Sequence, residues 1–305
     1  MSVKDNESMK TVSFITPFYN GNRYLPHLCE VLTQNTYGLA QRWPDMQTEW
    51  IIVNDSPQTP VKAPVSSAFP VRVVNHPQNA GIHAARATGL LHATGSLVLF
   101  LDQDDEIAPD FLVRQVQTIR DTGADVVVSN AWIEQSDGRK LLLYRTRFQY
   151  RKILRMAVYA KTHNQIVSPG QCLIRRASIP EFWQSHILRQ NGSDDLFLWM
   201  LMLADHKHFA IVPEPLYTHK YTGSNLSAAV SKMNGSSLEV CDLLRAAGTV
   251  PAKYIRDLHD SRALSQAWMQ AGAGRKIMLA AANLRLLVPA AWWKLRSMVS
   301  GRADT

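Results

Sequence analysis

The sequence predicts an α/β fold built on a mostly parallel sheet, and three observations predict it. Short apolar runs at residues 12–16, 50–53, 71–74 and 97–101 have the length of buried strands. Helical patterns follow the first and third of them, and strands alternating with helices make βαβ units. Three segments, Thr16 to Tyr19, Asn54 and Asp55, and Asp102 to Asp105, fall at the carboxyl ends of these runs. Ligands in such sheets bind beyond the carboxyl ends of the strands.

Taken in order, strand 12–16 leads through the turn at Asn20, Gly21 and Asn22 into a helix that carries Leu25, Leu28, Val31 and Leu32 on one face. Strand 50–53 is followed by a loop punctuated by Pro57, Pro60, Pro64 and Pro70, then by the short strand 71–74. The helix expected at 81–93 holds Ala84, Ala85, Ala87 and Gly89, residues small enough for close approach to a sheet. Pro109 suits the first position of the next helix. A further strand is expected at 125–130, with a hairpin turn at Ser136, Asp137 and Gly138. The 139–155 segment then concentrates seven basic residues. It reads either as a solvated face or as an acceptor-side or membrane-facing patch.

Asp102, Asp104 and Asp105 arrive together at the end of the 97–101 run. Crowded carboxylates repel one another unless a cation or hydrogen-bond donors hold them. The cluster is therefore either a solvated acidic turn or a divalent-cation site of the kind that shares its metal with substrate phosphates. A second acidic pair, Asp194 and Asp195, follows Ser193 at the start of an apolar helix. Capping and the helix dipole account for both by themselves.

Asn79, Gly81, Arg86 and Gly89, then Ala93 and Gly95, then 100–105, then Pro109 and Asp110, together resemble the core pattern of family 2 inverting glycosyltransferases of GT-A fold. Segments 12–20 and 49–56 resemble that family's first two strands, and the resemblance covers roughly residues 10–227. It implies a Rossmann-like sheet with a nucleotide-binding half and an acceptor-binding half. It also implies that Thr16, Pro17, Phe18, Tyr19, Asp55, Arg86 and Asp102 line a donor nucleotide pocket. Asp104, with Asp102, would hold Mn²⁺ or Mg²⁺, and Asp105 would support them. The catalytic base of the family falls on Asp195; its neighbour, usually Glu, is Asp194 here. His219 lies in a segment similar to a family motif but two residues before the usual histidine place, which Tyr221 occupies. It is either a metal or phosphate ligand or an ordinary histidine. Asn54 stands where the family commonly has a first carboxylate, which loosens base selection. The implied reaction is inverting transfer of a sugar from a nucleotide diphosphate sugar, with a lean to uridine diphosphate, onto a saccharide or lipid-linked saccharide.

Rival classes lack their own patterns. A nucleotidyltransferase needs a Gly-rich phosphate loop at the first strand, a calcium-binding module the EF-hand glycine, and a dinucleotide oxidoreductase the G-x-G-x-x-G run. A non-catalytic nucleotide-sugar-binding module is separated from the enzyme only by assay.

The chain of 305 residues carries 46% hydrophobic and 19% charged residues, the balance of a globular protein. Two regions are expected, a catalytic domain at 1–228 and a helical extension at 229–305. Cys29, Cys172 and Cys241 have no metal-ligand spacing and read as reduced thiols. Without a signal-like h-region or a run of ~20 apolar residues, the expected location is the cytoplasm. From Ser261 onward seven basic residues face Asp304 alone, so +6 of the net +8 lies in the tail. No nucleic-acid-binding pattern accompanies the charge. Trp292, Trp293, Leu295, Met298 and Val299, interleaved with Lys294, Arg296 and Arg302, suit instead a segment lying on an anionic membrane, or a helix docked on the catalytic domain. Pro289 is expected to divide that tail into two helices.

Overall fold

The computed structural model describes residues 10–221 and 230–299. The end of the His219 motif at 222–227, the boundary expected at 228, and Arg302 lie outside them. The chain divides into two compact units, one of Met1–Leu143, Val167–Ile187 and Lys207–Ser224, the other of Tyr144–Ile166, Leu188–His206 and Asn225–Thr305. The helical unit thus gathers two segments that precede residue 228.

The first unit holds the sheet: β1 (Thr11–Phe18), β2 (Gln47–Asn54), β3 (Val71–Asn75), β4 (Leu97–Phe100), β5 (Glu106–Ile107), β6 (Val126–Glu134), β7 (Lys140–Leu142), β8 (Cys172–Arg175) and β9 (Phe209–Lys220). Their order is β3-β2-β1-β4-β8-β6-β9-β5, with β7 on β6. The β3, β2, β1 and β4 strands are parallel, joined by a helical crossover from β1 to β2 and from β3 to β4 and by a loop from β2 to β3. Beyond them β8 runs antiparallel to both neighbours, β6 and β9 are parallel, and β5 and β7 are antiparallel additions.

The unit's helices are α1 (Leu25–Arg42), α2 (Ile82–His92), α3 (Phe111–Thr122) and α6 (Glu181–Ser185). One face of the sheet packs Phe14, Trp50, Ile52, Leu97 and Leu99 against Leu28, Leu32 and Leu39 of α1 and Leu112, Val116 and Ile119 of α3. On the other face α2 approaches so closely that a β-carbon on Gly89 would lie 2.3 Å from Ile15 Cγ2. Only glycine fits there, and the small-residue stripe has the consequence its sequence suggested. Gly95 is a similar case at the opposite, amino-terminal edge, with Ser13 and Thr11 around it.

The second unit is helical: α4 (Arg147–Ile153), α5 (Met156–Lys161), α7 (Asp194–Ala204), α8 (Val230–Ala247), α9 (Ala252–Gln270), α10 (Ala273–Ala282) and α11 (Leu284–Val299). Two helices form the tail as expected, but the break falls at Asn283 and not at Pro289, which lies inside α11. Asn283 turns its amide onto Leu279 O at 2.9 Å, ending α10. Proline at 289 removes the donor that Arg285 O would receive, and Lys161 Nζ donates to that carbonyl at 3.4 Å. The helix passes through its proline because a side chain replaces the lost hydrogen bond.

Candidate active site

Parallel pairing puts Phe18 level with Asn54 and Ile15 level with Phe100, so three strand ends share one edge of the sheet. At that edge Gln103, the middle of the acidic run, clamps the backbone of Tyr19: its Oε1 accepts from Tyr19 N at 2.9 Å and its Nε2 donates to Tyr19 O at 3.1 Å. The acidic loop and the end of β1 are thereby one piece. Tyr19 is exposed, whereas Phe18 is packed in the core and Thr16 is buried with its hydroxyl receiving Trp50 Nε1 at 2.9 Å. Pro17 alternates onto the opposite sheet face from those two, and it too is buried.

The three carboxylates have three different environments. Asp102 receives Arg86 Nη2 on Oδ1 at 2.5 Å and the Ser168 hydroxyl on Oδ2 at 3.4 Å. Arg86 itself is 3% exposed, so a charged pair anchors the loop to α2. Asp105 is buried and saturated: Tyr217 donates its hydroxyl, Lys220 its backbone N–H at 3.2 Å, and His219 Nδ1 lies 3.1 Å away. Asp104 has no such company. Burial, then the like charges of Asp105 and Asp102, push its carboxyl up to about 6. For His219 burial is the largest single effect and works downward, but the Asp105 hydrogen bond and the surrounding carboxylates outweigh it and raise its pKa. Only Nε2 of that ring remains for a cation or phosphate.

Among the described residues, no three His, Cys, Asp or Glu side chains gather to hold a metal by themselves. A cation shared with a diphosphate needs only one or two carboxylates. Asp104, ionised against the repulsion of two neighbours, is a donor of that kind, and the residues present fit such a cation.

Asp55 is 5% exposed and accepts from Ala80 N at 2.7 Å, Gly81 N at 2.8 Å and His76 Nδ1 at 2.8 Å. Gly81, at φ 91°, opens α2, so Asp55 fixes the turn that carries Arg86. His76 completes the bridge, with Nε2 2.9 Å from the Thr88 hydroxyl. Asn54, standing in place of a carboxylate, uses both ends of its amide. Its Oδ1 accepts from Ser56 N and Oγ, while Nδ2 donates to Thr59 O at 3.1 Å and Asn75 Oδ1 at 3.0 Å. An aspartate there would set a carboxylate against two acceptors, which explains the amide.

In the helical unit, Ser193 occupies the position before α7 but makes no side-chain cap. Its hydroxyl pairs with Ser237 Oγ at 2.9 Å instead. Asp194 is 2% exposed. Asp195 is partly exposed, with Oδ1 on its own neighbour Leu196 N at 2.6 Å and Oδ2 accepting from Asn164 Nδ2 at 2.6 Å. Of the acidic pair, Asp195 is the one that solvent reaches. Gln103, Ser168, His76, Tyr217 and Asn164 have structural roles here that their place in the sequence does not announce. Their only signal was a polar side chain near a strand end or a charged residue.

Residues 13–183, more than half of the chain, match the family model Glycosyl transferase family 2. The chain belongs to that family. It is 33% identical over 144 residues to the uncharacterised glycosyltransferase YwdF of Bacillus subtilis, covering 46% of this chain and 50% of that protein. It is 30% identical over 123 residues to an undecaprenyl-phosphate 4-deoxy-4-formamido-L-arabinose transferase of Salmonella choleraesuis, covering 40% and 37%. These matches span half or less of the curated relatives' length. Among solved structures, S. aureus TarS 1-349 in complex with UDP-GlcNAc is similar in fold, with TM-score 0.57, 17% identity and coverage of 84% of this chain and 73% of that one. The mannosyltransferase PcManGT from Pyrobaculum calidifontis, in complex with GDP-Man and Mn²⁺, gives TM-score 0.51 at 15% identity, covering 94% and 84%. The family 2 fold is the GT-A type expected from the sequence.

Proposed function

We propose that this family 2 protein transfers a sugar from a nucleotide diphosphate sugar to a hydroxyl of a saccharide or lipid-linked saccharide, with inversion, in cell-envelope polysaccharide synthesis. The observation that carries the reading is Asp104: a partly exposed carboxylate at a strand-end edge, raised to about 6 by burial and two like charges, in a loop held rigid by Gln103 and Arg86. Asp104, with Asp102 beside it, would hold Mn²⁺ or Mg²⁺. That cation, when bound, supplies charge neutralisation to the leaving diphosphate. Asp105, Tyr217 and His219 keep the loop's shape and limit its repulsion. Tyr19 offers the nucleobase a face, while Asp55 and Arg86 set the turn and α2 beneath the donor. Asp195 takes the acceptor's proton as the hydroxyl attacks the anomeric carbon. Asn164 orients that carboxylate. A single displacement gives inversion, so an α-linked uridine diphosphate sugar is expected to yield a β-linked product. Product anomer, read from proton coupling after transfer, checks this, and a retained anomer contradicts it.

The donor class has support in the neighbours that bind UDP-GlcNAc and GDP-Man, and a lipid-linked acceptor in the undecaprenyl-phosphate relative. No helix among the described residues is long and apolar enough to cross a membrane. On α11, Trp293 packs on Phe148 and Val158, and Leu286 is buried. Leu284, Val288, Trp292, Leu295 and Met298 remain exposed at spacings of three and four, a continuous apolar face, with Lys294 and Arg296 exposed beside it. Such a face binds the headgroup region of anionic membranes, at the cytoplasmic surface in this reading. Co-sedimentation with phosphatidylglycerol vesicles is expected at low salt and should fall at least about tenfold for Leu295→Asp/Met298→Asp. If neither protein pellets, the tail is structural.

A further inference from the structure

Tyr19 stands one residue past the end of β1, where the sheet no longer flanks it: β2 ends level with Phe18 and β4 level with Ile15. Its backbone N–H and C=O both end on the Gln103 carboxamide, at 2.9 and 3.1 Å. An amide that accepts and donates at once replaces the hydrogen bonds a neighbouring strand would supply. Gln103 and Asp104 are the two middle residues of a turn that Asp105 N closes on Asp102 O at 3.3 Å. The side chain that holds Tyr19 is thus the immediate neighbour of the carboxylate assigned to the cation.

Gly21 leaves room for this clamp. Its φ of −105° is open to any residue, yet a β-carbon there would lie 2.2 Å from Gln103 Oε1 and 2.6 Å from Cδ. The glycine is required by the side chain it faces and not by its own backbone. The same segment is tied to the loop between β2 and β3. Asn20 N donates to Ser56 Oγ at 3.0 Å, Thr59 Oγ1 to Asn20 Oδ1 at 2.7 Å, and Asn22 Nδ2 to Pro60 O at 3.1 Å. The Tyr19 ring itself is 53% exposed. A ring left in solvent on a backbone fixed from two sides is preorganised to stack on a planar ligand.

We propose that Gln103 is a positioning residue for the donor's nucleobase: it fixes the Tyr19 ring on which the base stacks and ties that platform to the turn carrying Asp104. This role rests on the donor pocket proposed for Tyr19 and Asp104. Gln103 acts through Tyr19 and not by touching the base. Without its amide the acidic loop keeps its other anchors, Arg86 on Asp102 and Tyr217, His219 and Lys220 on Asp105. The peptide groups of Tyr19 lose the partners they have here.

Calorimetric titration of the full chain with uridine diphosphate, guanosine diphosphate and inorganic pyrophosphate, each with Mn²⁺, tests this. Pyrophosphate meets the cation but has no base. Gln103→Met keeps the length of the side chain and loses both hydrogen bonds. It is expected to weaken the tighter-binding nucleotide about tenfold or more and pyrophosphate less than about threefold. Gly21→Ala, which displaces the amide without altering it, should do the same, and it decides alone if Gln103→Met does not fold. In a Tyr19→Ala background Gln103→Met should cost nothing further, because the platform it positions is gone. The proposal is overturned if Gln103→Met and Gly21→Ala bind nucleotide like wild type, if they weaken nucleotide and pyrophosphate alike, or if the loss is as large without the Tyr19 ring as with it. Failure of the donor reading shows separately, as wild-type protein that binds none of the three ligands with Mn²⁺.

Discussion

Asp195→Asn is expected to bind donor as wild type does and to transfer about 10²–10⁴-fold more slowly, the range that a positioned general base supplies. The amide keeps the volume and can still accept from Leu196 N and meet Asn164, so the start of α7 should hold. It cannot take a proton. Single-turnover transfer alongside donor titration checks both halves. Asn164→Ala tests positioning separately: kcat falls about tenfold, and the acid limb of the pH profile moves upward because the ionised carboxylate loses a donor. A merely structural asparagine would leave that limb where it is. If Asp194→Asn is the inactive variant and Asp195→Asn is not, the base is the buried neighbour.

Asp104→Asn carries the second large effect, in two directions at once. Transfer and cation-dependent donor binding should fall at least about 10³-fold, because the carboxylate that meets the cation is gone. Metal-free stability should rise. A carboxyl whose folded pKa is raised to about 6 from its ordinary 3.8 opposes folding when ionised. That penalty is fully present above pH ~6 and is relieved as pH falls through ~6 toward ~4. Two units correspond to about 3 kcal/mol at most, and partial exposure reduces this to about 1–2 kcal/mol. The variant should therefore be more stable than wild type at pH ~7.5 and indistinguishable near pH ~4, by urea denaturation in EDTA. Equal stability at both pH values would show that ionised Asp104 carries no folding penalty from burial or like charge.

The parts of this fold set by local pattern were legible in the sequence. The parallel β3-β2-β1-β4 half follows from apolar runs of strand length with helical patterns after the first and third, and the small residues of α2 announced its approach to β1. The β9 strand was not legible, since Pro213 and Pro215 argue against a strand. They are accommodated by register irregularities opposite Ser129, Asn130 and Ala131. The four-residue β8 carries too little pattern to stand out. In the site, residue types revealed the carboxylates but not their division of labour. The saturation of Asp105 by Tyr217, His219 and Lys220 depends on β9, more than a hundred residues later in the chain. Thr16, Pro17 and Phe18 fell in the expected segment but are buried, because both faces of β1 are covered and only Tyr19, past its end, reaches the surface.

The central claim is that the acidic loop binds a nucleotide diphosphate through a shared cation. The most direct measurement is thermal stability of the wild-type chain with uridine, guanosine, thymidine and adenosine diphosphates, each with Mn²⁺ and with EDTA. Saturation at about 100 times Kd adds about 2.7 kcal/mol to the folded state. The midpoint should therefore rise by several degrees with uridine diphosphate and Mn²⁺ together, and with neither alone. A guanosine preference would change the nucleotide and leave the claim standing. No rise with any diphosphate, or the same rise in EDTA, would contradict it.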